Sequence, residues 1–277
     1  MLARPRSILI TGASTGIGYH AAVSLAQRGW TVIGTARKRP DLDRLKQEGI
    51  RPIELDYTDE ASINAGFAEA LDHCDGRIDA LFNNGAYGQT GALEDISTDD
   101  LRAQFEANFF GWHTLTRKLI PVMRTQGIGR IVQCSSVLGF VAAPFRGPYQ
   151  ASKFALEAYT DTLRGELAPF GIKVISIQPG PITSKFRETA LATFERTVDH
   201  QSSAYADIYR RHLKRLRSPE KAKFELGPEA VTAALVRALE EPNPKPAYRV
   251  TFPTKAVWFL KRVLPTRQLH KLLNKQD

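Results

Sequence analysis

Cysteine is scarce: Cys74 and Cys134 are the only two in 277 residues, too few for a disulfide framework. Cys134 sits inside an apolar run, where a thiol behaves as a small buried hydrophobe. The six histidines, His20, His73, His113, His200, His212 and His270, show no ligand spacing, so no metal site is expected. No charged, apolar and small-residue leader precedes Ser7, where the first strand-like segment begins. The chain therefore reads as cytoplasmic rather than secreted. Zinc-finger spacing, a helix-turn-helix signature and an aromatic-interleaved basic stripe are also missing. Nucleic-acid binding is left with only a net charge of +9 in its favour and ranks last. That surplus gathers at Arg37–Arg39, between Arg210 and Lys223 and toward the C-terminal end, and it suits an anionic membrane or a phosphate-bearing ligand equally.

A chain of this length, 43% hydrophobic and 24% charged, can bury a sizeable core. Strand-like apolar runs recur at 7–11, 31–36, 52–56, 80–83, 130–134 and 173–178, with room for a helix between each pair. This alternation predicts an α/β fold: a doubly wound Rossmann-type parallel sheet with helices on both faces, one domain over 1–277. Ligands of such sheets bind beyond the carboxyl ends of the strands, so function is read from the strand ends. After Gln178 the rhythm breaks. Residues 184–226 hold aromatics and many charges without a clear strand and are expected to form a substrate lid. Gly227-Pro228-Glu229 opens a helix to about Glu240, followed by a last strand over 247–252 and a basic amphipathic C-terminal helix over 254–277.

Directly after the first strand stands Thr11-Gly12-Ala13-Ser14-Thr15-Gly16-Ile17-Gly18, leading into a helix. Glycines let the backbone turn tightly and approach a pyrophosphate, which rests on the exposed amides and the positive end of the helix. Gly12, Ser14, Thr15, Gly16, Ile17 and Gly18 are therefore candidate dinucleotide contacts, with an ordinary glycine-rich turn as the alternative. At the end of the second strand an acid would bind an adenosine ribose 2′-hydroxyl and repel a 2′-phosphate. Here the chain reads Gly34-Thr35-Ala36-Arg37-Lys38-Arg39, without an acid, and Arg37 offers a planar fork suited to phosphate. The implied cofactor is NADP, as NADPH. Asp56, closing the third strand, is a candidate for the adenine amino group or simply a helix cap.

Tyr149 and Lys153 lie four apart at the start of an amphipathic helix, which puts both on one face. A neighbouring ammonium is expected to favour the phenolate, bringing Tyr149 toward neutral-pH proton exchange as acid in reduction and base in oxidation. Ser135 and Ser136 end the fifth strand, where Ser136 can hydrogen-bond a substrate oxygen and Ser135 better fits a turn.

The Gly12/Gly16/Gly18 loop, Asn83-Asn84, Asn108, Ser136, Tyr149-x-x-x-Lys153 and Pro179-Gly180 stand in the order and approximate spacing of the short-chain dehydrogenases/reductases, which the chain resembles from residue 7 to about 252. The resemblance implies that Tyr149 is the acid/base, Lys153 also binds the nicotinamide ribose, Ser136 orients the carbonyl and Asn108 supports a proton-relay water. It likewise implies that the Pro179-to-Thr183 turn closes over the nicotinamide, with Pro179, Gly180, Ile182 and Thr183 as contacts. Where the family usually reads Asn-Asn-Ala-Gly, this chain has Asn83-Asn84-Gly85-Ala86, so a local backbone difference is expected around the contacts Asn84, Gly85 and Ala86.

Asn108-Phe109-Phe110-Gly111 and Pro179-Gly180-Pro181-Ile182 are similar to a bacterial oxidoreductase branch near the retinol and 17β-hydroxysteroid dehydrogenases. That likeness implies a lipophilic aldehyde, ketone or alcohol. Ser136, Leu138, Phe140, Phe145, Tyr149 and Phe186 are the candidate substrate residues, lining an apolar pocket. The C-terminal helix either meets an anionic membrane surface peripherally or packs on its own domain or a neighbouring subunit, and a homodimer or homotetramer stays open. A non-catalytic NADP-binding sensor or scaffold is the alternative to an enzyme.

Overall fold

The computed structural model describes residues 6–218 and 220–273. Among these, seven strands pair in parallel in the order β3-β2-β1-β4-β5-β6-β7. They are β1 (Ser7–Ile10), β2 (Thr31–Ala36), β3 (Arg51–Glu54), β4 (Ala80–Asn83), β5 (Gly129–Cys134), β6 (Ile172–Gln178) and β7 (Ala247–Arg249). The helices are α1 (Gly16–Gln27), α2 (Arg39–Gln47), α3 (Glu60–Asp72), α4 (Thr98–Phe105), α5 (Gly111–Gln126), α6 (Gly147–Leu167), α7 (Phe186–Thr197), α8 (Ala206–Arg217), α9 (Glu229–Glu240), α10 (Phe252–Val263) and α11 (Thr266–Leu273).

Successive side chains of a strand point to opposite faces, and both faces here are apolar. In β1, Ile8 and Ile10 join a core with α1 and α9 through Leu25, Leu235 and Leu239. Leu9 joins the opposite core with Leu115, Leu119 and Met123 of α5. The expected doubly wound sheet is therefore present, buried on both faces. Because β1 lies between β2 and β4, the crossovers diverge from it and leave a crevice at the carboxyl ends of these strands.

Two expectations for the C-terminal part differ from the structure. The last strand ends at Arg249, because Thr251 accepts a hydrogen bond from the Thr254 amide and starts α10 at Phe252, with Pro253 in its first turn. The expected single C-terminal helix is two: Pro265 cannot extend α10, and α11 begins after it. Residues 274–277 of that expectation lie outside the described residues. Segment 184–226, which shows no clear strand in the sequence, contains α7 and α8, whose own core of Phe194, Val198, Tyr209 and Leu213 packs on Ala92.

Candidate active site

The glycine loop is clamped between strand ends. Thr35 accepts from the Gly12 amide at 3.3 Å, and its carbonyl accepts from the Ala13 amide at 2.8 Å. From β4, the Asn84 side chain donates to the carbonyls of Thr11 and Gly12 at 3.1 and 3.3 Å. Gly12 takes φ +62°, and a Cβ there would fall 2.5 Å from Gly85 Cα; at Gly18 it would fall 2.3 Å from the Gly12 carbonyl oxygen. Glycine is thus dictated by the chain's own packing. Gly85 shares that close approach, and its carbonyl accepts from Trp112 Nε1 at 2.9 Å, which fixes the Asn83-Asn84-Gly85-Ala86 segment from below.

The start of α1 suits an anion. Thr15 makes no side-chain cap there and the first turn holds no acid, so the amide ends of Gly16, Ile17 and Gly18 present uncompensated positive charge. Arg37 follows β2, largely exposed and 3.6 Å from Asp56. Asp56 accepts from the amide and hydroxyl of Thr58, both at 2.9 Å. Partial burial raises the Asp56 carboxyl, but these bonds and Arg37 outweigh it and hold it below the usual carboxylate range. Asp59, rather than Asp56, caps α3. A dinucleotide therefore fits this crevice: its pyrophosphate would meet the glycine-lined turn and the helix amides.

The catalytic candidates meet at the ends of β5 and α6. Ser136 Oγ accepts from the Leu138 amide at 3.1 Å, and its hydroxyl lies near enough to the Tyr149 phenol to favour the phenolate. Lys153 is fully buried, donates to the Cys134 carbonyl at 2.8 Å and lies 4.3 Å from the Trp112 ring centre and 5.8 Å from that of Tyr149. Its ammonium is pushed down to about 8 by burial, against the pull of Cys134 and Glu157. The Tyr149 phenol is pushed up by burial, with the Ser136 hydrogen bond opposing, rather than down as the spacing to Lys153 suggested. Desolvation wins because the ammonium turns to a backbone carbonyl instead of the phenol oxygen.

Asn108 sits in a π turn, Glu106–Phe110, that joins α4 to α5; such bulges recur at functional sites. Its amide is engaged twice by the Tyr87 backbone, accepting from N at 3.1 Å and donating to O at 2.8 Å. It thereby sets the course of the loop after β4, and its Nδ2 also lies 3.5 Å from Ser152 Oγ, whose hydroxyl donates to the Tyr149 carbonyl at 2.6 Å.

Of the pocket candidates, Phe186 packs edge-on over Tyr149 with ring centres 5.2 Å apart. Leu138 follows Ser136 in a short 3-10 turn and is half-buried. Phe140 is also half-buried, and its carbonyl accepts from Lys261. Phe145, at φ +61°, packs edge-on against Tyr205 and Tyr209. The turn after β6 is tied in on both sides: Pro179 O accepts from the Val137 amide at 2.8 Å, while Thr183 N donates to Leu226 O at 2.9 Å. Buried Glu225 anchors that second seam, accepting from Thr183 Oγ1 at 2.7 Å and pairing with Arg187 at 3.2 Å.

Three contributors carried no usable sequence signal. Trp112 reads as one more core residue of α5, Glu225 as one more surface acid and Tyr57 as a turn residue. Yet the Tyr57 hydroxyl joins β1 to β4, 2.5 Å from Thr11 Oγ1 and 2.8 Å from Asn83 Oδ1. Cys74 and Cys134 are buried thiols, and among the described residues no His, Cys, Asp or Glu group could hold a metal.

A family model described as short chain dehydrogenase matches residues 6–194. An Escherichia coli (strain K12) protein, the uncharacterized oxidoreductase YbbO, is 39% identical over 269 residues, covering 97% of this chain and 94% of its own. The 3-ketodihydrosphingosine reductase of Bacteroides thetaiotaomicron is 33% identical, covering 92% of this chain and 93% of its own. Among solved structures, a short-chain dehydrogenase from Streptomyces avermitilis matches with a TM-score of 0.78 at 31% identity, covering 95% of this chain and 94% of that one.

Proposed function

The chain belongs to the short-chain dehydrogenase family, an oxidoreductase family, and on that premise we propose that it is an NADP-dependent reductase of lipophilic aldehydes and ketones, reversible on the matching alcohols. The observation that carries the reading is the convergence of Ser136 and buried Lys153 on the two sides of Tyr149. A bound reduced nicotinamide supplies the hydride. Tyr149, its phenol held protonated by burial, gives its proton to the substrate oxygen. Ser136 donates a hydrogen bond to that oxygen as negative charge develops on it. Lys153, still charged below about pH 8, supports the phenolate left behind and takes a ribose hydroxyl. Asn108 holds the loop after β4 in place.

Coenzyme choice rests on Arg37, accessible at the end of β2 where no acid stands. The apolar substrate class is supported by Phe186 over Tyr149, by the aromatic lid of residues 184–226 and by the likeness to a reductase named for a long-chain sphingoid ketone. The test is the initial rate of NADPH and NADH consumption with aldehydes and ketones of increasing chain length. We expect kcat/KM to rise with chain length and NADPH to lead NADH by at least about tenfold, a margin that Arg37→Ala removes. Equal use of both coenzymes refutes the Arg37 role. NADPH binding without turnover of any carbonyl favours a sensor.

A further inference from the structure

One side of α10 is fastened to the site and the other is bare. At its start, Thr251 and Thr254 pack against Gly180, where a Cβ would fall 2.2 Å from Thr251 Oγ1. Near its end, Lys261 Nζ donates to Phe140 O at 2.5 Å. The helix thus bridges the 179–183 turn and the loop after Ser136, the two segments flanking Tyr149.

On the side away from Thr254 and Lys261 stand Phe252, Phe259 and Val263, spaced i, i+7 and i+11 and therefore in one stripe. They are 64%, 59% and 54% exposed. A surface helix ordinarily turns such a stripe inward, whereas here it faces solvent. Phe224 of the lid, 50% exposed, extends the stripe with its ring 5.3 Å from that of Phe252. Cations accompany it: Lys223 lies over the Phe224 ring, Lys255 and Arg262 stand on α10, and Arg267 and Lys271 follow on α11. No Asp or Glu occurs between Glu241 and Asp277.

This pairing of bare phenylalanine with the cation-rich, acid-free α10 selects the occupant. A second copy of the same face would set cation against cation. An anionic lipid surface offers an apolar phase for the rings and negative headgroups for the lysines and arginines. Among the described residues no helix is long and apolar enough to cross a membrane, so α10 would lie in the plane of the interface.

We propose that the outer face of α10, with Phe224, is a docking surface for an anionic membrane, and that docking sets the pocket mouth against the bilayer from which lipophilic substrate enters. Substrate entry rests on the carbonyl-reductase reading; docking does not. The measurement is co-sedimentation of the full chain with phosphatidylcholine vesicles with and without phosphatidylglycerol, in the absence of coenzyme and substrate. We expect pelleting only with the anionic lipid and its loss in high salt. The pairs Phe252→Ser with Phe259→Ser, and Lys255→Gln with Arg262→Gln, should each weaken partition by roughly tenfold. Both should leave turnover of a short, water-soluble aldehyde unchanged. A test without variants reads Trp258, half-exposed on α10, while Trp30 and Trp112 are buried: brominated anionic lipid should quench its fluorescence. Absence of both pelleting and quenching overturns the proposal, as does pelleting indifferent to the phenylalanines. A wild-type dimer that the double serine variant dissociates gives the face to a second copy and overturns it too. Because vesicle binding needs no turnover, an inactive protein that still docks fails the reductase reading alone.

Discussion

The loops at the ends of β1, β2 and β4 are held by backbone and short polar side chains, whereas the segments beyond β5 and β6 are held largely by aromatic rings and one buried carboxylate. On the first side Thr11, Thr35 and Asn84 sew the glycine turn to its neighbours, and no space is left for a methyl group at Gly12 or Gly18. On the second, Phe186 leans on Tyr149, Phe194 and Tyr209 build a small separate core, and Glu225 fastens the seam. A backbone cradle admits one ligand shape and tolerates little change. A wall of rings can repack around substrates of different outline.

The sharpest way to break this contrast is a single methyl on the rigid side. Gly18→Ala must push the Gly12 carbonyl aside, so we expect it to weaken NADPH binding roughly thirtyfold, from an overpacking cost of about 2 kcal/mol. Calorimetric titration checks it, and near-wild-type affinity would show the cradle to be pliable.

Between the two sides stands Lys153, and pH reads it. A lysine whose value is lowered carries its charge below about 8 and loses it above, while Tyr149 stays protonated throughout that range. The rate of carbonyl reduction should therefore be level toward the acid side and fall as pH rises through about 8. Trp112→Leu removes the ring face 4.3 Å from the ammonium. That loss should move the falling limb down by about one pH unit, reducing kcat about twofold at pH 7 and about tenfold well above pH 8. An unmoved limb would leave Trp112 as packing alone.

The smallest effect is expected on the soft side. Glu225→Gln keeps the shape of the seam but weakens its pairing with Arg187, so KM for a long-chain carbonyl should rise about threefold with kcat nearly unchanged. A comparable fall in kcat would make the lid part of the chemistry rather than of binding.

The same contrast decided what the sequence made legible. The alternation of strands and helices, the glycine turn and the Tyr149–Lys153 face follow from local pattern, because backbone geometry there admits few residues. The lid helices α7 and α8 were hidden because their buried faces are short and interleaved with charge, and their core forms only against Ala92, far away in the chain. Phe145, read as a pocket residue from its position between Ser136 and Tyr149, takes a left-handed backbone and packs its ring against Tyr209 of α8, a contact that position alone does not encode. Burial, which spacing does not encode, reversed the expected direction for Tyr149. Trp112 and Tyr57 act through partners brought near only by the sheet.

The most direct test of the account is Tyr149→Phe, measured for NADPH affinity and for single-turnover reduction of a long-chain aldehyde in the same preparation. If Tyr149 delivers the proton, NADPH should bind as it does to the wild type while the reduction rate falls by about three orders of magnitude. A variant that still reduces the aldehyde at a rate near that of the wild type would contradict the role given to Tyr149, and with it the mechanism.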